Sequence, residues 1–438
     1  MNYLNIRLTF TALLLTIAGA ATAQTPQLIT LDLAIRMGMD YSHLLAASQG
    51  RYEQSMARRD QTFDLGYPTS LANGTYYRLS DVPEFTLPGS EEPLFPVYQN
   101  DYQGRVSLNQ LLFAGFRVKT AKDAANKTVQ SSQFDLKRDE ADVKLNIITA
   151  YYNLYKVQQS VEVIYANKKL IDQRVADVRN LEKNGLATYN DVLRLELQQS
   201  NIELTQIDAE NILRSANYNF NLLIGLAGDV QVMPDTTGLF AARAVNTIEN
   251  YQSSALKLRP EIQSALLRNE VAEDNLKIAQ RAYYPTVTAG ANLYLGSPNM
   301  RYIPPTDVLH TTWDVGVGLT WNITNLYTNR HVIAENQAII KQAKALQLQT
   351  TDNVKSEVYQ SYLAYSEALD KTRVSAKAVD QAHENLRVTE SRYNNSLALV
   401  SDLTDAQAAQ IQAEISLIIA RADAQIAYYK LQKSSGNF

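Results

Sequence analysis

From Phe116 to Asn184 the chain contains neither proline nor glycine, while Gly115 and Gly185 stand just outside that stretch. Proline and glycine are the main interrupters of helices, so the run reads as one continuous helix. At 1.5 Å of rise per residue it is roughly 100 Å long. Ordinary helices run about three or four turns. A rod of this length has no place inside a compact domain, so the molecule must be elongated.

The chain then repeats itself. A constant shift of 211 positions puts Val143 on Val354, Tyr151 on Tyr362, Leu186 on Leu397, Asp191 on Asp402, Glu203 on Glu414, Tyr218 on Tyr429 and Gly225 on Gly436, without a gap. Trp321 to Ser435 again lacks glycine and proline. One large unit present twice implies two similar halves and not an array of short repeats. The expected division is a first repeat over 24–225, an irregular equatorial segment over 226–250 and a second repeat over 251–438.

The ends and the composition narrow the class. Arg7, an apolar run from Leu8 through Ala18, and Ala21-Thr22-Ala23 follow the order of a secretory signal peptide over 1–23, with cleavage expected after Ala23. No later window reaches the 18 to 20 or so apolar residues of a spanning helix, so any crossing of a membrane must use strands. With no cysteine there is no disulfide, thiol nucleophile, thiolate metal site or lipid-modified N-terminal cysteine. A net charge of −4 gives no reason to expect nucleic acid as a partner. Tyrosines number 26 against 10 phenylalanines, which favours places where apolar surface meets water.

Each half carries a pair of alternating segments, expected as strands at about 67–81 and 98–113 and at about 285–296 and 311–323. The long helices are expected at about 116–183 and 325–393. In the second half Val287, Ala289, Ala291, Leu293 and Leu295 alternate with Thr286, Thr288, Gly290, Asn292 and Tyr294. The return strand sets Trp313, Val315, Val317, Leu319, Trp321 and Ile323 against Asp314, Gly316, Gly318, Thr320 and Asn322. An apolar face opposed by a small, polar one over about ten residues fits a membrane barrel strand. A soluble sandwich with one buried face shows the same alternation. Trp313 and Trp321, the two tryptophans, lie near opposite ends of one face, as interface girdles require, and favour the membrane reading. Four strands cannot close a barrel, and lipid does not tolerate open edges. Several copies must therefore share one barrel, a dimer with eight strands or a trimer with twelve.

Each rod ends in a tight turn, Asn184-Gly185-Leu186-Ala187-Thr188 in one half and Asn394-Asn395-Ser396-Leu397-Ala398 in the other. Shorter helices return over Tyr189–Ile224 and Val400–Lys433. Leu193, Leu197, Leu204 and Ile207 match Thr404, Ala408, Ile415 and Ile418, a spacing that favours antiparallel packing against the rod. The remaining length calls for further helices. Two are expected: Tyr251–Ala282 beyond the first return, and Leu28–Asp64 beyond the second.

Taken together, these features resemble the TolC-like outer-membrane efflux proteins. The resemblance rests on the two-fold repeat, on Tyr67-Pro68 and Tyr284-Pro285 before strands, on Leu112-Phe113-Ala114-Gly115 at a strand exit, and on Gly185-Leu186-Ala187-Thr188 followed by Asp191-Val192-Leu193. It implies a mainly α fold with a membrane β-barrel: three chains give four strands each to one 12-stranded barrel, continued by an antiparallel coiled-coil tunnel. It also implies an exit duct of a tripartite efflux or type I secretion system in the outer membrane. A periplasmic adaptor protein and an inner-membrane transporter would be the partners. Tips at Gly185, Leu186, Ala187, Thr188, Ser396, Leu397 and Ala398 would dock the adaptor, and Tyr393, Asp402 and Asp405 would line a periplasmic gate. Ser396 stands where that family has glycine, Ala398 where it has a basic residue, and Leu403-Thr404 where it has Val-Leu. Asp402 and Asp405 also suit the positive start of a helix, whatever their part in a gate.

No enzyme site is evident. His43, His310, His331 and His383 are scattered without metal-ligand spacing, and Gly316-Val317-Gly318 lies on a strand with no helix of a nucleotide loop after it. No cofactor is expected, and the lack of a methionine cluster speaks against a copper or silver specialist. The alternative from another class is a secreted coiled-coil structural or adhesin protein whose strands form a soluble cap.

Overall fold

The computed structural model describes residues 27–83, 85–89, 97–237, 240, 245–303, 306–395 and 397–438. The signal peptide expected over 1–23, and Ser396 of the second tip, lie outside the described residues. In chain order the elements are β1 (Gln27–Ile29), α1 (Leu31–Tyr41), α2 (His43–Asp64), β2 (Thr69–Arg78), β3 (Asn100–Phe113), α3 (Arg117–Lys183), α4 (Tyr189–Ile224), β4 (Val232–Pro234), α5 (Ile248–Leu258), α6 (Pro260–Gln280), β5 (Thr286–Ser297), β6 (His310–Thr320), α7 (Asn325–Asn394) and α8 (Val400–Ser434). The fold is mainly helical. Helices α3 and α7, 67 and 70 residues long, are the rods, each about 100 Å at the usual rise.

Backbone chemistry sets where the rods begin and end. Gly115 and Phe116 precede α3 with φ of 62° and 61°. A side chain on Gly115 would meet Tyr284 Cβ at 2.7 Å, so only glycine lets the strand exit pass that ring. At the far end the Leu186 N–H bonds back to the Leu181 carbonyl at 2.8 Å, which closes the helix with Gly185 at φ 68°. The second tip repeats that bond from Leu397 to Arg392, also at 2.8 Å.

Two stretches read as single helices are broken. Leu28 is not helical but lies in β1, which pairs in parallel with β4. Ser42 then separates α1 from α2, and its hydroxyl accepts the Leu45 N–H at 3.3 Å, capping a new helix. Likewise Arg259 is extended, because the residue before a proline avoids helical geometry, and Pro260 opens α6. The stacking of these helices also differs from expectation. Gly225, at the end of α4, lies against the Tyr41 ring, so α1 and α2 continue the α4 column. Gly436, after α8, lies against Leu258 and Arg259, so α5 and α6 continue the α8 column. Each short helix is thus extended by the segment preceding its own half.

The core sits at the equator in two matching clusters. Ile147, Ile148, Tyr151, Tyr152 and Leu154 of α3 pack with Ile29, Phe220, Ile224 and Val232. Val354, Val358 and Tyr365 of α7 pack with Tyr251, Ala255, Ile262 and Leu431. Tyr151 is fully buried, with its hydroxyl 3.0 Å from the Ile29 carbonyl and 2.9 Å from that of Asp235. Burial chiefly, with the Asp235 charge adding to it, pushes its phenol well above the ordinary tyrosine range.

The lateral order of the elements is consistent along the molecule. The sheet runs β2-β3-β5-β6, antiparallel throughout. Beside the equator on the sheet side, α2 packs on α3, α3 on α6, and α6 on α7; toward the tips, α4 packs on α3, α3 on α8, and α8 on α7. One lateral edge is therefore β2, α2 and α4, and the other is β6 and α7.

Candidate functional site

At the tips, helix starts and ends converge on a small polar network. Thr188 caps α4: its Oγ1 accepts the Asp191 N–H at 3.2 Å, while Asp191 Oδ2 accepts the Thr188 N–H at 3.0 Å. At the matching place Asp402 Oδ2 accepts the Leu399 N–H at 3.1 Å. Asp402 thus holds the start of α8. Asp405 lies one turn on, exposed. Tyr393, half-buried, packs between the cluster of Val175, Val178, Val192 and Leu195 and that of Leu386, Leu403 and Ala406. Burial first, then the charge of Asp191, raises its phenol above the ordinary value.

The residue that joins the two halves here is one that the motif reading missed. Arg174 of α3 forms an ion pair with Glu390 of α7 and donates from Nη1 to Gln407 Oε1 of α8 at 3.1 Å. Its side chain is only 15% exposed. The signal was present in the pattern, since Arg174 interrupts the buried row Ile171, Val175 and Val178. A cation in such a seam needs acceptors from a facing helix. Together, Arg174, Glu390, Tyr393 and Leu403 line a cleft between the first and second rods.

Of the expected tip residues, Leu186 and Leu397 stand fully out, Gly185 and Thr188 are exposed, and Ala187 and Ala398 are half-buried. Leu399 and Tyr189 add further exposed apolar surface. The row expected to pack α4 on its rod does not do so. Leu193, Leu197, Leu204 and Ile207 are exposed, and Val192, Leu195 and Ile202 face α3 instead. Helix α4 carries two apolar stripes, and its own rod uses the other one.

At the opposite end the sheet has two chemically distinct faces. Ala72, Val106, Leu293 and Trp313 form one row across all four strands, with Leu108, Ala291 and Val315 beside it. Trp313, Val315, Val317 and Leu319 are 68–71% exposed, a bare apolar face. Trp321 lies past the strand end and donates from Nε1 to the Tyr283 carbonyl at 3.0 Å. The two indoles are eight positions apart in sequence, roughly 26 Å along an extended chain, which at a barrel strand's tilt of about 40° spans roughly 20 Å of an apolar band about 25 Å tall. The other face carries Asn73, Arg105, Tyr294 and Thr312 in one row and Ser107, Asn292 and Asp314 in the next.

Residues 252–437, nearly all of the second half, match the family model described as "Outer membrane efflux protein". By sequence, that half is similar to the outer membrane efflux proteins. Among relatives, the chain is 20% identical to outer membrane protein TolC of Vibrio cholerae over 322 residues, 72% of each chain. It is 24% identical to outer membrane efflux protein BepC of Brucella suis, over 72% of this chain and 69% of that one. Its fold matches the outer membrane protein VceC of Vibrio cholerae with a TM-score of 0.77 at 17% identity, covering 93% of this chain and 96% of VceC. The correspondence of fold thus extends over the first half too, where the family model makes no match. No helix among the described residues is long and apolar enough to cross a membrane.

Proposed function

We propose that three copies of this chain form the outer-membrane exit duct of a tripartite efflux or secretion system, a passive conduit from the periplasm to the outside. The observation that carries this reading is the pair of unpartnered edges. Among the described residues β2 and β6 have no strand on their outer sides, and lipid forbids such edges. Edge helix α4 exposes Leu193, Leu197, Leu204 and Ile207, while edge helix α7 exposes Leu346, Tyr359, Leu363 and Val374. Joining the β6–α7 edge of one copy to the β2–α4 edge of the next gives a heterologous interface that closes as a ring. Two copies would give eight strands, whose interior is filled by side chains; three give twelve, wide enough for a water path.

In this ring the apolar sheet face meets lipid, with Trp313 and Trp321 at the two interfaces, and the polar face lines the duct. The rods extend it through the periplasm, and the tips at 185–188 and 396–398 meet an adaptor protein bound to an inner-membrane transporter. Tyr393, Asp402 and Asp405 stand at the narrow end, where six carboxylates near one axis would attract cations. The leader over 1–23 carries the chain out of the cytoplasm and is removed after Ala23. Native mass spectrometry of detergent-extracted protein, with conductance in planar bilayers, tests the reading. Conducting particles of three chains are expected. A monomer that stays soluble without detergent would refute it.

A further inference from the structure

Inside the polar face, near the end of the sheet away from the rods, several groups converge that duct formation does not require. The Arg301 guanidinium, from the loop after β5, stands 4.5 Å from the centroid of the Tyr294 ring, and that of Arg105 stands 5.4 Å from it. Arg301 donates to Asp314 Oδ2 at 2.8 Å. Arg105 instead donates to a neutral amide oxygen, Asn292 Oδ1, at 2.8 Å from Nη2 and 3.3 Å from Nε. Asn292 in turn donates to Asp314 Oδ1 at 2.7 Å, so the one carboxylate of the cluster is occupied on both oxygens. Within this cluster two guanidiniums face one carboxylate, and the Arg105 guanidinium bonds to no carboxylate. Further carboxylates at this end, among them Asp81, Asp101 and Asp307, accept from the neutral side chains of Gln99, Gln103 (2.8 Å) and Ser297 (3.1 Å).

A second, independent feature points the same way. Thr312 shares a row with Arg105 and Tyr294. Its Oγ1 is buried and has no hydrogen-bond partner among the described residues. Arg105, Tyr294, Arg301 and Thr312 line one open cleft of about 390 Å³, also bounded by Gln103 and Asn299. A buried hydroxyl without a partner is costly unless something fills that role. The loop is anchored for the purpose: Asn299 accepts the Arg301 N–H at 3.0 Å and donates to the His310 carbonyl at 3.0 Å.

We propose that this cleft is a binding station for small organic carboxylates on their way out of the duct. With its Nε and one Nη2 hydrogen on Asn292, Arg105 keeps its Nη1 hydrogens and the second Nη2 hydrogen, an end-on fork that matches a carboxylate in plane, and the Thr312 hydroxyl supplies a further donor. Arg301, held by Asp314, adds charge without being the principal ligand. With three copies, three stations lie at one level of the barrel.

This inference rests on the duct reading, and single-channel recording separates the two. Purified trimers in planar bilayers are titrated with benzoate, with benzamide as the neutral control of similar shape. Benzoate is expected to reduce the current at concentrations where benzamide does not. Arg105→Gln should raise the half-blocking concentration about tenfold, as loss of a charge-assisted hydrogen bond predicts. Thr312→Val, which keeps every charge, should raise it about threefold by loss of a neutral one. Conducting channels that benzoate and benzamide affect alike, or that both variants leave equally sensitive, would overturn the station and leave the duct standing. Failure of the wild-type chain to conduct at all would overturn the duct itself.

Discussion

Replacing Arg174 with methionine keeps an unbranched apolar stem and removes the guanidinium from the junction of α3, α7 and α8. Two interactions go. The bond to Gln407 is charge-assisted and buried, worth about 1.5–3 kcal/mol. The pair with Glu390 is worth less than about 1 kcal/mol, because that carboxylate is 39% exposed and solvent screens it. Gln407 is itself 1% exposed, and its Nε2 already lacks a partner among the described residues, so the orphaned Oε1 has no ready replacement for Arg174. The sum is about 2.5 kcal/mol of lost local stability, or roughly a fiftyfold rise in the opening equilibrium. Because the equatorial clusters are remote from this junction, the loss should appear as local opening and not as global unfolding.

Hydrogen–deuterium exchange on the detergent-solubilised protein reads this directly. Amides at 385–395 and 400–410 should exchange about fiftyfold faster in Arg174→Met, while those at 143–155 keep their rates. Glu390→Gln, which leaves the Gln407 bond intact, should accelerate exchange only a few fold, in line with a partly exposed pair. In the double variant the two effects should combine to less than their sum, because both act through one guanidinium. Exchange at the tips that stays within twofold of wild type in Arg174→Met would refute the claim that this side chain ties the second rod to the first.

Three further outcomes follow from the fold. Tyr151→Phe leaves two equatorial carbonyls without their shared donor and should cost about 1–3 kcal/mol in thermal unfolding; a loss below about 0.5 kcal/mol would mean that the hydroxyl is not holding β1 to the belt. Val317→Arg puts a charge in the middle of the apolar sheet face and should cost about 2–4 kcal/mol, against about 1 or less for Thr320→Arg on the opposite, polar face. Heat-modifiable gel migration reads that contrast, and equal assembly of the two variants would argue against lipid on this face. Burial alone would raise the Glu261 carboxyl, but hydrogen bonds and charge from Arg259 outweigh it and hold it below the ordinary glutamate value. A depressed carboxyl contributes stability above its unfolded value of about 4.3 that is lost as pH falls through the folded one. Melting temperature should therefore drop in acid below about pH 4, and Glu261→Gln should flatten that drop; an unchanged profile in the variant would place the acid sensitivity elsewhere.

What could be read from the chain depended on whether a residue's partner is local. The rods announce themselves because only backbone punctuation interrupts them, and Gly115 and Gly185 do their work within one turn. The strand faces are visible for the same reason, since a period of two needs no knowledge of the neighbour. The break at Ser42 was hidden: serine is compatible with a helix interior as well as a cap, and nothing nearby resembles the Pro260 that ends the other segment. The columns were paired wrongly because that pairing is set by contacts across long separations, Gly225 on Tyr41 and Gly436 on Leu258. Arg174 was overlooked because its acceptors lie more than 200 positions away.

The misassigned stripe on α4 shows the limit most plainly. Leu193, Leu197, Leu204 and Ile207 have the spacing of a packed seam, yet Val192, Leu195 and Ile202 are the residues that touch the rod. A helix with one partner needs one apolar stripe. A helix with two needs two, and periodicity alone does not say which partner belongs to the same chain. The surplus stripe therefore carries its own information. Water does not select a regularly spaced row of bare leucines along a helix edge, and the α7 edge on the far side carries a complementary surplus in Tyr359, Leu363 and Val374. In the proposed ring both surpluses are covered together, where the edges meet on neighbouring copies. The strand edges β2 and β6 pose the same requirement at the membrane end, so one rotation that satisfies the sheet must satisfy the helices as well.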